Sequence, residues 1–230
     1  LFAWHRARYA FALSYVDGKR VLDVGSGEGY GAALLAEHAR DVVAVDYSPA
    51  AVEHARATYP RSNLAFRVFE ATALPDDLAS FDVVTCFEVI EHIVDAKELV
   101  RNLRGALRPG GILLLSTPNR LVDVAFERVS GRDAYEYHVN VLSPRELRGL
   151  VRPEFADVVL YGQSVRGGTL HSVLKAVDVL NLRHHLVRSS RVQRNVGEAL
   201  GKPEPGKPPE FRFSRLLVRQ SPHVVVVARS

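Results

Sequence analysis

The sequence contains no methionine in 230 residues, one cysteine, Cys86, and one tryptophan, Trp4. A single thiol excludes an intrachain disulfide framework and a cysteine-built zinc cluster. The missing methionine means that no initiator is present, so a trimmed or absent natural start is expected. Long apolar runs are also lacking, which excludes a membrane-spanning helix of the usual length. The opening LFAWHRARYAFAL sets basic residues inside an apolar pattern and has no small-residue cleavage site. It reads as a helix and not as a signal peptide, and a cytoplasmic location is expected. Charge of one sign is scarce at the end: residues 161–230 hold 12 basic and only 4 acidic residues, whereas residues 1–160 hold 18 and 22. That basic third could face an anionic substrate or simply be a solvated surface. Composition is otherwise that of a globular domain, 47% hydrophobic and 24% charged.

The first two-thirds of the chain alternate short apolar runs with helical patterns. Strands are predicted at 20–25, 41–46, 64–69, 81–87 and 111–116, and helices at 29–39, 49–59 and 96–107. Runs such as DVVAVD and GILLLS suit strands buried on both faces. The alternation predicts an α/β fold with a parallel sheet and helices on both sides. Ser48 before Pro49, Asp95 before Glu98, and Ser143 with Glu146 mark helix starts. Two more strands are expected at 155–161 and 223–229. The whole chain reads as one domain, 1–230, with residues 164–222 as an insertion that serves as a lid or dimer arm. Within it, 170–200 has helical periodicity and 201–210 is proline-rich.

VLDVGSGEGYG, residues 21–31, runs from an apolar strand through a glycine-rich turn into a helix, the kind of loop that lets a nucleotide approach the backbone. A dinucleotide fingerprint needs glycine at the sixth loop position, where Tyr30 stands, so a nicotinamide dehydrogenase is disfavoured. Asp46 follows Asp23 by 23 positions, near the spacing at which a carboxylate meets a ribose diol. Glu70, after the third strand, can accept from an adenine amine.

VLDVGSGEGYG, VAVDYS, EATALP, FDVVTCFEVIEH and LRPGGILLLSTPN, in that order, resemble the motif set of class I S-adenosylmethionine-dependent methyltransferases. The resemblance covers roughly residues 1–160. It implies a Rossmann-like seven-stranded sheet with the last strand antiparallel. It further implies that S-adenosylmethionine lies along Asp23, Gly25, Ser26, Gly27, Gly29, Asp46, Tyr47, Glu70, Ala71, Cys86 and Phe87, with S-adenosylhomocysteine as the product. GEGYG, FEVIEH and STPN resemble bacterial small-molecule and glycan-pathway methyltransferases, most of which methylate oxygen.

On the acceptor side, a helical turn after the fourth strand would place Glu88, Glu91 and His92 on one face. His92 is then the expected base, with Glu91 or Glu88 orienting it and His138 nearby. The E-x-x-E-H pattern with a later histidine also resembles the metal site of small-RNA ribose 2′-O-methyltransferases, and its first part that of ubiquinone-biosynthesis O-methyltransferases. A divalent metal on Glu88, Glu91, His92 and His138 is the alternative; the favoured expectation is no metal. His184-His185, without a neighbouring carboxylate or cysteine, is not expected to bind one. Phe2, Trp4, Tyr9 and Phe11, with His5, Arg6 and Arg8, read as the two faces of an amphipathic helix, the alternative being a roof over the site.

The leading expectation is therefore O-methylation of a small-molecule hydroxyl, with a homodimer as a further option. An RNA methyltransferase is weaker, because aromatics do not interleave the arginines of the basic tail as stacking on nucleic acid requires. A non-catalytic scaffold subunit is weaker still, given the intact Asp23, Gly25, Gly27 and Asp46.

Overall fold

The computed structural model describes residues 2–75, 78–123, 138–165 and 210–230. Its elements are α1 (Phe2–Val16), β1 (Arg20–Val24), α2 (Tyr30–Leu35), β2 (Asp41–Asp46), α3 (Pro49–Thr58), β3 (Leu64–Val68), β4 (Phe81–Phe87), α4 (Ala96–Ala106), β5 (Leu107–Pro118), α5 (Pro144–Val151), β6 (Asp157–Val165), β7 (Phe211–Ser214) and β8 (His223–Arg229). They build one sheet in the order β3-β2-β1-β4-β5-β8-β6-β7. The pairings from β3 to β5 are parallel; β8 runs antiparallel between β5 and β6.

The continuous apolar runs are buried on both faces, as a parallel sheet between two helical layers requires. One layer packs Leu99, Val100 and Leu103 of α4 and Leu147 and Val151 of α5 on Val84, Leu113 and Val226. The other packs Tyr9, Ala12 and Val16 of α1, Leu35 of α2 and Val52 and Ala55 of α3 on Val21, Val83 and Leu114. The caps read from the sequence form: Ser48 Oγ accepts from Ala51 N, Asp95 from Glu98 N, and Ser143 with Glu146 closes a reciprocal capping box.

The sheet has eight strands, not seven. Strand β6 continues past Tyr161 to Val165, and its extra length offers an edge on which β7 pairs antiparallel, Gly162 opposite Ser214 through Val165 opposite Phe211. Strand β7 lies inside the expected insertion 164–222, so two strands of the sheet, β7 and β8, are antiparallel to the rest. Four residues beside a proline-rich stretch carry too little periodicity to announce a strand. The helical pattern at 170–200, the proline-rich run up to residue 209 and His184-His185 lie outside the described residues. No helix among the described residues is long and apolar enough to cross a membrane.

Strands β1, β4 and β5 end together at one edge, and antiparallel β8 begins there, with His223 opposite Pro118. Open α/β sheets bind ligands at such a carboxyl edge.

Candidate functional site

The glycine loop is held from behind by β2. Gly25 N and Ser26 N both donate to Val45 O, Gly27 N donates to Asp46 Oδ2 at 2.8 Å, and Gly29 N donates to Ser26 O. These four amides are spent inside the protein, so they do not form the cradle of free N–H groups that a pyrophosphate needs. The loop instead offers shape. Gly25 and Gly27 adopt left-handed φ of 76° and 53°; a Cβ on Gly25 would strike Val89, whereas the same position on Gly27 is open. Between them the Ser26 hydroxyl is buried and without a hydrogen-bond partner. An orphaned hydroxyl beside open space at a left-handed glycine fits a bound adenosyl group whose polar atoms complete the loop.

Asp46 is nearly buried, and its two oxygens accept from Gly27 N and Ser48 N. Each oxygen keeps a further lone pair, which is what a diol requires. Tyr47 beside it is 77% exposed, and Glu70 is exposed after β3. Ala71 is half-buried, while Cys86 and Phe87 end β4 inside the core. Burial raises the Cys86 thiol well above its ordinary value, so it stays protonated and contributes shape. Gly29 has a packing reason: a Cβ there would press on Ala55 and the Phe66 ring at 2.7 Å.

Asp23 is fully buried. Thr85 Oγ1 donates to it at 2.6 Å, and the Tyr9 hydroxyl reaches its two oxygens at 3.1 and 3.3 Å. Burial pushes its pKa up to about 6, against the two hydroxyls, which pull it down. Gly31 makes room for this contact, since a Cβ there would run into the Tyr9 ring. Helix α1 therefore sits over the loop; Tyr9 lies on its buried face as expected, whereas Arg8, expected on the solvated face, is buried as well.

The acceptor side departs from the sequence reading. After β4 the chain makes a short 3-10 turn over Ile90–His92, with Glu88 before it in a left-handed conformation, φ 57°. Glu88, Glu91 and His92 consequently do not share a face. Glu88 Oε1 accepts from Ser116 Oγ at 2.7 Å, and Oε2 lies 3.3 Å from Arg8 Nη2 and 3.2 Å from His223 Nε2. Burial pushes this carboxyl up, but Arg8, His223 and Ser116 outweigh it and bring it down to about 2. Arg8 is fully buried and also donates to Gln163 Oε1 at 2.8 Å; Gln163 in turn donates to Trp4 O.

Glu91 turns inward, accepts from Thr117 Oγ1, and through its backbone oxygen takes the amides of Val139 and Asn140. Burial and the nearby Glu88 charge push its carboxyl up to about 8, so it is protonated at neutral pH. It is not the ionised partner expected for His92. His92 is exposed, and its ring meets that of His138 edge-on at 4.8 Å. Burial, then the neighbouring His92, lowers the pKa of His138. Glu91, His92 and His138 can each place one ligand atom with all three within 4.8 Å of one another, enough to hold a metal ion. Glu88, the fourth residue of the alternative metal set, is committed to Arg8 and His223. Sequence reasoning missed Thr85, Gln163 and His223; only the pairing of distant strands brings them here.

A family described as a methyltransferase domain matches residues 4–153. A Mycolicibacterium smegmatis protein named "Probable S-adenosylmethionine-dependent methyltransferase" is 37% identical over 199 residues, 86% of this chain and 73% of that one. A Mycobacterium tuberculosis protein of like name is 40% identical over 164 residues, 70% of this chain; the chain spans only 57% of that relative's length. The ubiquinone biosynthesis O-methyltransferase of Coxiella burnetii is 27% identical over 186 residues, 80% of this chain and 75% of that one. Among solved structures, a SAM-dependent methyltransferase from Archaeoglobus fulgidus superposes with a TM-score of 0.62 at 17% identity, covering 98% of this chain and 93% of that one.

Proposed function

The chain belongs to the class I S-adenosylmethionine-dependent methyltransferases, and on that premise we propose that it methylates a hydroxyl oxygen of a small molecule. The observation that carries the reading is a mostly enclosed, ionised carboxylate paired with an imidazole, Glu88 with His223, at the strand edge next to the glycine loop. A hydroxyl acceptor needs a place for its proton, and such a pair provides one. The similarity to a ubiquinone-biosynthesis O-methyltransferase supports oxygen as the acceptor atom.

Bound S-adenosylmethionine supplies an electrophilic methyl group on a sulfonium. Gly25, Ser26 and Gly27 would hold it beneath, with Gly29 shaping the loop by its packing. Asp46 and Tyr47 would meet the ribose, Glu70 and Ala71 the adenine, and Asp23, Cys86 and Phe87 the methionyl portion. The protein's part is alignment, exclusion of water and removal of one proton. Two histidines stand where that proton leaves: His92, beside Glu91 and His138, and His223, beside Glu88.

The Glu91, His92 and His138 cluster favours a second reading, in which a divalent cation lowers the pKa of the acceptor hydroxyl. Calorimetric titration with S-adenosylhomocysteine, with Mg²⁺ or Zn²⁺ and with a chelator control, separates the two. Micromolar binding indifferent to metal supports the metal-free transferase. A separate metal isotherm lost in His138→Ala supports the second reading. No binding of S-adenosylhomocysteine would leave the fold as a scaffold.

A further inference from the structure

His223 opens β8 and stands opposite Pro118 of β5 on one side and Gln163 of β6 on the other. The strand order puts β8 next to β5 and two places from β4. It therefore lies on the far side of Glu88 from the glycine loop, at the same edge of the sheet. The side chain is 16% exposed and packs against Trp4 of α1, ring centroids 5.1 Å apart. The charged and titratable groups that face it are Glu88 after β4 and His5 and Arg8 of α1.

Its two nitrogens have different fates. Nε2 lies 3.2 Å from Glu88 Oε2, while Nδ1 is buried and has no hydrogen-bond partner. A carboxylate only accepts, so the proton of a neutral ring belongs on Nε2 and the lone pair on Nδ1. Leaving that lone pair unmatched in the interior costs about 1–3 kcal/mol. A donor that arrives with the substrate would recover the loss. Glu88 is itself fixed by Ser116 and Arg8, and its left-handed backbone stores strain, a mark of residues held for function.

We propose that His223, through Nδ1, is the base that removes the acceptor's proton, and that Glu88, fixed by Arg8 and Ser116, is the positioning residue that sets its tautomer. As the acceptor oxygen bonds to the methyl carbon, the carbon–sulfur bond breaks with its electron pair left on sulfur, and the hydroxyl proton passes to Nδ1. The imidazolium then faces an ionised carboxylate, which stabilises it as it forms. This assignment rests on the hydroxyl-methylation reading and narrows it to one residue.

The test joins a spectroscopic and a kinetic arm. In the S-adenosylhomocysteine complex at pH 7.5, ¹⁵N correlation spectra of the imidazoles, with His223 assigned by the signals lost in His223→Asn, should show the Nε2–H tautomer. Glu88→Gln should abolish that preference while S-adenosylhomocysteine still binds. A ring carrying its proton on Nδ1, or on both nitrogens, overturns the proposal. In the kinetic arm, catechol and methyl glucoside serve as phenolic and alcoholic probes. His223→Asn should lower kcat by about 100-fold or more and remove the acidic limb of the kcat pH profile, with S-adenosylhomocysteine affinity within about threefold. His92→Asn should have the smaller effect, and the reverse order overturns the assignment. If wild type methylates neither probe, the hydroxyl reading fails and takes the assignment with it, whereas a methylated probe with the His223 and His92 effects reversed overturns the assignment alone.

Discussion

Glu88 and Glu91 stand three residues apart and titrate in opposite directions. Arg8, His223 and Ser116 keep Glu88 ionised down to about 2, whereas burial and the Glu88 charge hold the proton on Glu91 up to about 8. Between its ordinary value near 4.5 and 8, Glu91 keeps a proton in the folded state that the unfolded chain releases. Its contribution to stability is thus fully present below 4.5 and lost as pH rises through 8. Glu88 behaves oppositely, and its contribution is lost as pH falls from 4.5 toward 2. Glu91→Gln keeps the neutral form at every pH. Urea unfolding should show the variant gaining on wild type between pH 5 and pH 8; an equal difference at both would refute the protonated Glu91. Asp46 makes a second residue-scale case, because its two oxygens tie Gly27 and Ser48 and each keeps a further lone pair. Asp46→Ala should raise the calorimetric Kd for S-adenosylhomocysteine about 10- to 100-fold, the worth of one or two lost charge-assisted hydrogen bonds.

Among the elements, α1 matters most to the site. It delivers Tyr9 to Asp23, Arg8 to Glu88 and Gln163, and Trp4 to His223. Its run of basic residues set among apolar ones announced a helix but not these roles, since a buried arginine looks in sequence like a solvated one. Gly31 of α2 is what allows the helix to come so close. Gly31→Ala should force the Tyr9 ring away at a cost of about 1–3 kcal/mol. Hydrogen exchange should then speed up across residues 2–16 ahead of the β4 and β5 core. Uniform exchange across both would show that α1 is not docked through this contact. At α5, by contrast, Ser143 does nothing for the site. Ser143→Ala removes half of a capping box and should cost about 1 kcal/mol in unfolding free energy with cofactor binding unchanged.

For the whole molecule, binding and folding are linked. The glycine loop, α1 and the strand edge come from different parts of the chain and exist as a site only when all are folded. S-Adenosylhomocysteine at 100 times its Kd should therefore raise the unfolding free energy by about 2.7 kcal/mol. A thermal shift that saturates near zero would mean that the ligand binds the unfolded chain as well, or not at all.

The local features were legible in the sequence because their causes are local. Periodicity placed β2, β4 and β8 to the residue, and Ser48, Asp95 and Ser143 declared the helix starts. The glycine turn and Asp46 sit on consecutive strand ends, so chain order alone puts them side by side. What the tertiary structure decided was everything that depends on which distant strands pair. It set β8 between β5 and β6 and so carried His223 to within hydrogen-bond reach of Glu88, 135 positions earlier in the chain. It extended β6 into an edge on which β7 could form. It also split the two glutamates of one short motif between an ionised and a protonated state. A carboxylate's charge is fixed by the groups packed around it, and those groups arrive from across the fold.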